Sequence, residues 1–258
     1  MFLTRFRVNT ARSSSRRILG SPQIMHAAVM SCFPALLPSD APPPGGPRIL
    51  WRADHTSRAE VILYIVSPGR PDLTHLVEQA GWPAAATPIA PGWETRAYSP
   101  FLDRLQTGDR WAFRLTANPV HHVRRKDDEP TKRTAHVTPA HQMGWLLQRQ
   151  ESAGFRILER SAGQPLMSSV GASSGPTHPG NAYELAVHSK RDLVFAKRPQ
   201  NGSPVGNKAP VQIVAVTFDG HLEVTDPARL RTVLTQGIGR AKAYGCGLLT
   251  LVPIRTGE

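Results

Sequence analysis

The first residues of the chain alternate between apolar and polar positions. In MFLTRFRVN, residues 1–9, the side chains of Phe2, Phe6 and Val8 fall on one side of the alternation and those of Arg5 and Arg7 on the other. A period of two residues is typical of a β-strand with one buried face. The sequence therefore predicts a strand over residues 1–8.

A helix is predicted next, over residues 14–33, by an apolar pattern that includes SPQIMHAAVM, residues 21–30. Within it, Ser21 can act as an N-cap and Pro22 suits a first helical turn, where a missing N–H costs nothing. After the turn-rich connector DAPPPGGPR, residues 40–48, the pattern predicts strand 48–53, strand 60–67, helix 72–80 and strands near 94–102 and 110–118. This β-α-β-β-α-β order is that of a ferredoxin-like domain, here residues 1–120.

The second half follows a basic polar linker, residues 121–137, and predicts the same order with additions. Asp226 and Pro227 provide an N-cap and first-turn residue for the later of its two helices. The predicted elements are helix 138–150, strands near 155–161, 184–188, 192–197 and 211–218, helix 226–236 and a buried strand 247–254. A Ser/Gly/Pro-rich loop, residues 165–181, interrupts them and is expected to be mobile. We therefore predict an α+β protein of two tandem ferredoxin-like (RRM-like) domains, residues 1–120 and 138–258.

Charge limits the classes of partner that the protein can have. Lys and Arg outnumber Asp and Glu by 31 to 19, which gives a net charge of +12. Such an excess indicates a polyanionic partner, either nucleic acid or an anionic membrane surface. No run of about 18 apolar residues exists, so we expect no insertion into a membrane.

Two features bear on the compartment. The two cysteines, Cys32 and Cys246, lie far apart and lack zinc-ligand spacing, which fits a reducing cytoplasm better than a disulfide framework. The arginine-rich, acid-free N-terminus also resembles an organelle transit peptide. The strand pattern of residues 1–8 favours a mature domain instead.

A glycine-rich loop, residues 237–247, lies in the stretch QGIGRAKAYGCGLLTL. Backbone N–H groups at glycines can approach a phosphate closely, and neighbouring cations add charge. The stretch is neither a Walker loop nor a dinucleotide fingerprint, because its order is helix-loop-strand. Two interpretations stay open: a phosphate-binding loop, or a helix C-cap followed by a simple connection. The candidate residues are Gly237, Gly239, Arg240, Lys242 and Gly245, with Gly247 at the end of the loop.

Further basic residues cluster on a predicted β-hairpin arm, HSKRDLVFAKR, residues 188–198. A positively charged ribbon can follow the backbone of an RNA stem-loop. The alternative is a solvated charged surface without a ligand. The candidates are Lys190, Arg191, Lys197 and Arg198 on the arm, and Arg156 and Arg160 on the preceding strand.

His26 stands in the apolar helical stretch 21–30, in a segment without any acidic residue from position 1 to position 39. A histidine there can be a core residue or a proton-transfer group. Its ordinary pKa near 6.5 makes both protonation states available near neutrality. Metal-ligand clusters are not evident, because His121 and His122 lack suitably spaced carboxylates, and we expect no metal and no cofactor.

Three stretches resemble the repeat-processing CRISPR endoribonucleases of the CasE type, within the superfamily of repeat-associated RNA-binding proteins. They are QGIGRAKAYGCGLLTLVP, the strand MFLTRFRVN with the helix that carries His26 and ends at Phe33-Pro34, and WAFRLTANPVHHVRRK with Arg114 to Pro119 as its signature. The similarity keeps order and spacing from Met1 to Pro253. The resemblance implies two ferredoxin-like domains and places His26 at the catalytic histidine.

The same resemblance implies metal-independent cleavage of CRISPR repeat RNA by 2′-OH attack, and residence in the Cascade surveillance complex. Gln23 stands where many relatives carry a tyrosine, so a phenolic proton donor is absent there, and Ser31 is a second candidate neighbour of His26. The expected partners are the repeat stem-loop RNA and other Cascade subunits, without a membrane. A catalytically silent RNA-binding subunit and a general RNA-binding factor, such as a ribosome-associated protein, are the alternatives.

Overall fold

The computed structural model describes residues 1–33, 46, 48–57, 60–87, 89–123, 132–160, 178–179, 182–195 and 210–254. Within them the chain forms two large antiparallel sheets, each covered by helices, and one separate two-stranded sheet. None of the helices in these ranges is long and apolar enough to cross a membrane.

The first sheet has the strand order β2-β3-β1-β4, which is the ferredoxin-like arrangement. Its neighbouring strands are all antiparallel. Two helices connect β1 to β2, and a third connects β3 to β4. The elements are β1 (Phe2–Asn9), α1 (Ser13–Gly20), α2 (Pro22–Met30), β2 (Leu50–His55), β3 (Glu60–Ser67), α3 (Thr74–Ala80) and β4 (Trp93–Ala97).

The helix predicted over residues 14–33 is two helices, α1 and α2, separated at Ser21. Ser21 is extended, with φ −132° and ψ 112°, and its side chain accepts a hydrogen bond from the backbone N–H of Ile24. Pro22 cannot donate a helical hydrogen bond and disfavours a helical conformation in the residue before it. The N-cap and first-turn roles predicted for Ser21 and Pro22 are thus confirmed, but the same two residues end α1.

The strand predicted near 94–102 ends at Ala97, and the chain then forms a short helix, α4 (Ser99–Asp103). Pro100 lies in the first turn of α4, where proline is tolerated. The prediction of a strand over residues 98–102 was wrong.

The second sheet has the strand order β12-β5-β11-β10-β9, and β8 pairs with β11 off this path. Taken as β5-α5-β10-β11-α6-β12, the chain repeats the ferredoxin-like order. Its elements are β5 (Arg110–Ala117), α5 (Pro139–Leu147), β8 (Phe155–Ile157), β9 (His178–Pro179), β10 (Leu185–Phe195), β11 (Val211–Val224), α6 (Pro227–Gln236) and β12 (Leu249–Pro253). Both ferredoxin-like domains are therefore present.

The division between the two domains differs from the predicted one. Strand β5 lies within the residues assigned to the first domain, 1–120, but it pairs with β11 and β12 of the second sheet. The sheets thus divide between β4 and β5. The predicted linker 121–137 contains instead a hairpin of β6 (Val120–Val123) and β7 (Lys132–Ala135). Strand pairing is set by partners far away in sequence, so the local pattern of β5 could not reveal which sheet it joins.

Each domain has its own hydrophobic core. The first contains Phe6 and Leu63, and the second contains Leu115 and Phe218, all at most 1% exposed. Leu50 of β2 belongs to the core of the second domain, so the two cores adjoin. This contact fixes the elements around the glycine-rich loop, which connects α6 to β12.

Candidate functional site

His26 lies on α2 and is half-buried. Its Nδ1 atom is buried and has no hydrogen-bond partner among the described residues. Burial lowers the pKa of the imidazole below its ordinary value, because desolvation disfavours the charged form. At neutral pH the ring is consequently neutral and able to accept a proton.

Helix α2 packs against a short 3₁₀ turn, Lys242–Tyr244, which forms the middle of the glycine-rich loop. Strand β2 packs against the same turn. The structure therefore brings the helix that carries His26 together with the loop predicted from composition, although 216 positions separate His26 from Lys242 in the sequence.

The glycines of this loop have positive φ and leave no room for a side chain. Gly237 is the C-cap of α6, with φ 75°, and its N–H donates to the carbonyl of Val233 at 2.8 Å. A Cβ at Gly239 would lie 2.9 Å from the Trp145 ring, and one at Gly245 would lie 2.6 Å from the Trp51 ring. The C-cap interpretation is confirmed at Gly237, and packing alone accounts for the glycines at 239 and 245. Phosphate binding by the loop stays a prediction.

The two cations of the loop differ in environment. Arg240 is exposed, and its backbone forms a bridge with Asn118. Lys242 is half-buried, and desolvation followed by repulsion from Arg48 lowers the pKa of its ammonium group. Lys242 lies in the turn against which α2 packs, and Arg240 precedes it by two residues, so both add positive charge to the loop and favour an anionic ligand.

The basic arm is one strand, β10, with an irregularity in its pairing between His188 and Arg191. Ser189, at this bulge, has a positive φ of 52°. Arg191 and His55 line the same small cavity, and the pKa of His55 is lowered by burial and then by the Arg191 charge. Lys190 is exposed, with its Nζ 3.8 Å from Oδ2 of Asp192.

The far end of β10 reaches the glycine-rich loop. The ring of Phe195 packs against that of Tyr244, with 4.7 Å between the ring centroids. The arm, the loop and α2 thus meet around the 3₁₀ turn. Two further arm candidates, Lys197 and Arg198, lie outside the described residues, as does most of the loop 165–181.

Arg156 and Arg160 lie away from the 3₁₀ turn at which the arm, the loop and α2 meet. Arg156 on β8 pairs with Glu223 of β11, whereas Arg191 pairs with Ala215 of the same strand. Eight residues of strand separate these two positions, roughly 26 Å. The Nη2 atom of Arg156 also forms a 2.6 Å ion pair with Glu223. Arg160 continues β8 towards Ala182, to which its N–H donates.

Gln23 lies near the start of α2 and Ser31 is its C-cap, so the two residues flank His26 along the helix. Gln23 is half-buried and precedes His26 by three residues, so both side chains lie on one face of α2. Ser31 is exposed, and its hydroxyl donates to the carbonyl of Ala27 at 3.0 Å. The hydroxyl proton of Ser31 is therefore already engaged in a hydrogen bond to the backbone of α2.

Four further polar residues near the loop were not predicted to belong to the site. Arg48 precedes β2, and its charge repels that of Lys242. The others are Asn118, His121 and Arg149, which line a cavity with Arg240. Asn118 and His121 lie in the stretch 111–126 that carries the resemblance, whereas no sequence pattern marked Arg48 or Arg149. Across the described ranges, no group of three or more His, Cys, Asp or Glu side chains could hold a metal ion.

The protein has two ferredoxin-like domains in tandem, and the helix that carries His26 meets the glycine-rich loop. This architecture is that of RNA-binding proteins with two RRM-like domains. A family model described as "CRISPR associated protein" matches residues 1–253, and the chain belongs to this family.

Named relatives agree with this assignment. The chain is similar to the CRISPR-associated endoribonuclease Cse3 of Thermus thermophilus, with 31% identity over 98% of this chain and 100% of the relative. It is 26% identical to the CRISPR system Cascade subunit CasE of Escherichia coli, over 76% of this chain and 82% of that protein. Among solved structures it resembles Thermus thermophilus Cse3 bound to an RNA representing a pre-cleavage complex, with TM-score 0.67, 28% identity and 98% of each chain covered.

Proposed function

We propose that this protein is a metal-independent endoribonuclease that cuts CRISPR precursor RNA at the repeat stem-loop. The packing of α2, which carries His26, against the 3₁₀ turn of the glycine-rich loop carries the proposal. It places the helix of a candidate proton-transfer group against a loop that carries two cations. The relative Cse3 is named an endoribonuclease, and its structure holds a pre-cleavage RNA.

RNA can be cut without a metal because its own 2′-OH can attack the adjacent phosphorus. His26, neutral through burial, accepts the proton of that hydroxyl. Arg240 and Lys242 stabilise the charge that develops on the phosphate oxygens. As the P–O2′ bond forms, the P–O5′ bond breaks and the leaving 5′ oxygen takes up a proton from water. The upstream product therefore carries a 2′,3′-cyclic phosphate, and the downstream product carries a 5′-OH.

The protein then stays on the mature RNA as a subunit of Cascade. The Escherichia coli relative is named a Cascade subunit, which supports this part of the proposal. The basic arm of β10 and the glycine-rich loop form a continuous surface through Phe195 and Tyr244, suited to retaining a stem-loop. Cytoplasmic residence fits Cys32 and Cys246, which are both free and buried.

The test is cleavage of a repeat RNA by the purified protein in EDTA. We expect one cut per repeat, with product ends identified by sensitivity to a cyclic-phosphate ligase and to 5′ phosphorylation. A matched RNA with 2′-deoxyribose at the nucleotide before the cut should bind and stay intact, because the nucleophile is missing. Cleavage that needs added metal, or cleavage of the deoxy substrate, would show a water-based mechanism instead.

A catalytically silent RNA-binding subunit is the second candidate. Gln23, three residues before His26, favours it, because an amide cannot serve as an acid where many relatives carry a phenol. The same assay separates the two: this alternative predicts tight repeat binding with no product under any metal condition.

A further inference from the structure

A polar cavity lies beside the glycine-rich loop at Gly239 and Arg240. It has a volume of about 280 Å³ and is lined by the end of β5, the start of β6, the C-terminal end of α5 and the loop. The side chains that line it include Asn118, His121, Trp145, Arg149 and Arg240, together with Gly239. The mechanism proposed for His26 leaves all of these except Arg240 without a role.

Three buried polar atoms of this cavity have no hydrogen-bond partner among the described residues. They are Oδ1 of Asn118, Nδ1 of His121 and Nε1 of Trp145. Asn118 is 8% exposed and Trp145 is 2% exposed. Buried polar groups are usually paired, so these three atoms leave hydrogen-bonding capacity unused at the residues that line the cavity.

The charge of the cavity identifies the kind of ligand. No acidic side chain lines it within the described ranges. The Arg149 guanidinium lies 4.3 Å above the Trp145 ring, and Arg240 is exposed at the rim. His121 stacks on His136 at 4.3 Å, and His136 on His141 at 5.9 Å.

The stacked histidines and Arg149 repel one another when they are charged. Burial, and then the charges of His121, His141 and Arg149, lower the pKa of His136. An anion would relieve this repulsion, and none of the described side chains at the cavity provides one.

We propose that this cavity binds one unpaired ribonucleotide of the RNA, with its phosphodiester on the guanidiniums and its 2′-OH on Asn118. The inference rests on the proposed function for the identity of the RNA. A phosphodiester supplies acceptors for the indole N–H of Trp145 and for the two arginines. The 2′-OH supplies the donor that Oδ1 of Asn118 lacks, which a deoxyribonucleotide cannot do.

The geometry favours an unpaired nucleotide over a duplex. Asn118 and Trp145 line the cavity with side chains that are only 8% and 2% exposed, so a ligand must enter the recess to reach them and cannot do so from a surface that a helical backbone follows. A single-stranded nucleotide can turn its backbone and base into such a recess, whereas a paired nucleotide in an A-form stem cannot.

The experiment uses the full chain with His26→Ala, so that cleavage cannot change the probes. Fluorescence anisotropy would compare three probes: a repeat stem-loop with unpaired flanks, the stem-loop alone, and an unstructured ten-uridine RNA with its deoxy counterpart. Asn118→Leu is the main variant, since the free protein leaves its amide oxygen unpaired and the change should cost little stability. Arg149→Met keeps an aliphatic stem over Trp145. Arg70→Gln, an exposed arginine beside α3, is the matched control.

We expect Asn118→Leu and Arg149→Met each to weaken binding of the flanked RNA and of ten-uridine RNA about tenfold. Binding of the stem-loop alone should be unchanged, the deoxy oligomer should be insensitive to Asn118→Leu, and Arg70→Gln should change none of these. Equal losses on the stem-loop alone, or no loss on the unpaired probes in folded variants, would overturn the inference. If the unaltered protein does not cut repeat RNA but the unpaired probes behave as expected, the proposed function fails and the cavity assignment stands.

Discussion

The guanidinium of Arg52, on β2 of the first sheet, donates a hydrogen bond of 3.0 Å to the backbone carbonyl of Leu248 in the second domain. It also donates to the carbonyl of Arg114 at 2.8 Å and to Oγ1 of Thr250 at 2.9 Å. Asp54 balances its charge through a 2.6 Å contact. One side chain, 2% exposed, thus joins both sheets next to the point where the glycine-rich loop enters β12.

Arg52→Met should strongly destabilise the protein. The change leaves the Asp54 carboxylate and two carbonyls without their principal donor, at a cost of roughly 3–5 kcal/mol. Thermal melting followed by circular dichroism should show a drop of about 10 °C. Arg52→Lys should not restore stability, because a single ammonium group cannot reach the acceptors that the guanidinium joins. Melting of Arg52→Met at the unaltered temperature would show that the bonded network contributes little.

His26→Ala should abolish cleavage and leave repeat binding within about threefold, because a proton-transfer group adds to rate and little to ground-state affinity. Single-turnover cleavage and anisotropy on the same RNA measure the two effects. His178→Ala, at an exposed histidine of β9, is the matched control and should cut normally. An active His26→Ala protein would remove His26 from the mechanism.

The cleavage rate should rise with pH and level off near neutrality. Burial lowers the pKa of His26 below its ordinary value, so the fraction of neutral, proton-accepting imidazole rises with pH and is already the larger one at pH 7. Single-turnover rates between pH 5 and 8, with RNA saturating, provide the test. A rate that falls from pH 6 to 8 would mean that the protonated ring acts, as an acid on the leaving oxygen.

Neutralising the two loop cations should weaken RNA binding without regard to sequence. Arg240→Gln combined with Lys242→Gln should reduce affinity for the repeat and for unrelated hairpins by similar factors. Each lost phosphate contact should flatten the slope of log affinity against log salt by about 0.7 to 0.9.

A thermal melt is the control for this double variant, because the Cγ of Lys242 lies close to Gly247 and contributes packing. An unchanged slope in a folded protein would mean that the glycine-rich loop serves chain geometry alone.

Local signals predicted the elements well and their partners poorly. Ser21 and Pro22 indicated a helix start that the structure confirms, and Asp226 and Pro227 did the same for α6, where Asp226 accepts from two backbone N–H groups. These signals act within one helical turn. The sheet membership of β5 depends on β11 and β12, more than 90 residues away, and no local pattern carries that information.

The residues of the candidate site show the same contrast between local signals and long-range contacts. The glycine-rich loop was selected from its glycines and cations and His26 through the resemblance, and both were accessible because each lies in a short contiguous motif. Arg156 was grouped with the arm by charge alone, and pairing with Glu223 at the other end of β11 separates them. The cavity around Asn118 was missed, since its unpaired atoms come from two segments, residues 118–121 and Trp145, that only the fold brings together.

The close approach of Trp51 to Gly245 and of Trp145 to Gly239 has a consequence for exchange of parts between relatives. Each indole occupies the volume that a side chain at the glycine would need, so loop and tryptophans form one inherited unit drawn from both domains. If residues 237–247 came from a homologue with side chains at positions 239 and 245, those side chains would collide with Trp145 and Trp51 of this chain. Functional grafting of this segment therefore requires the tryptophan positions to travel with it.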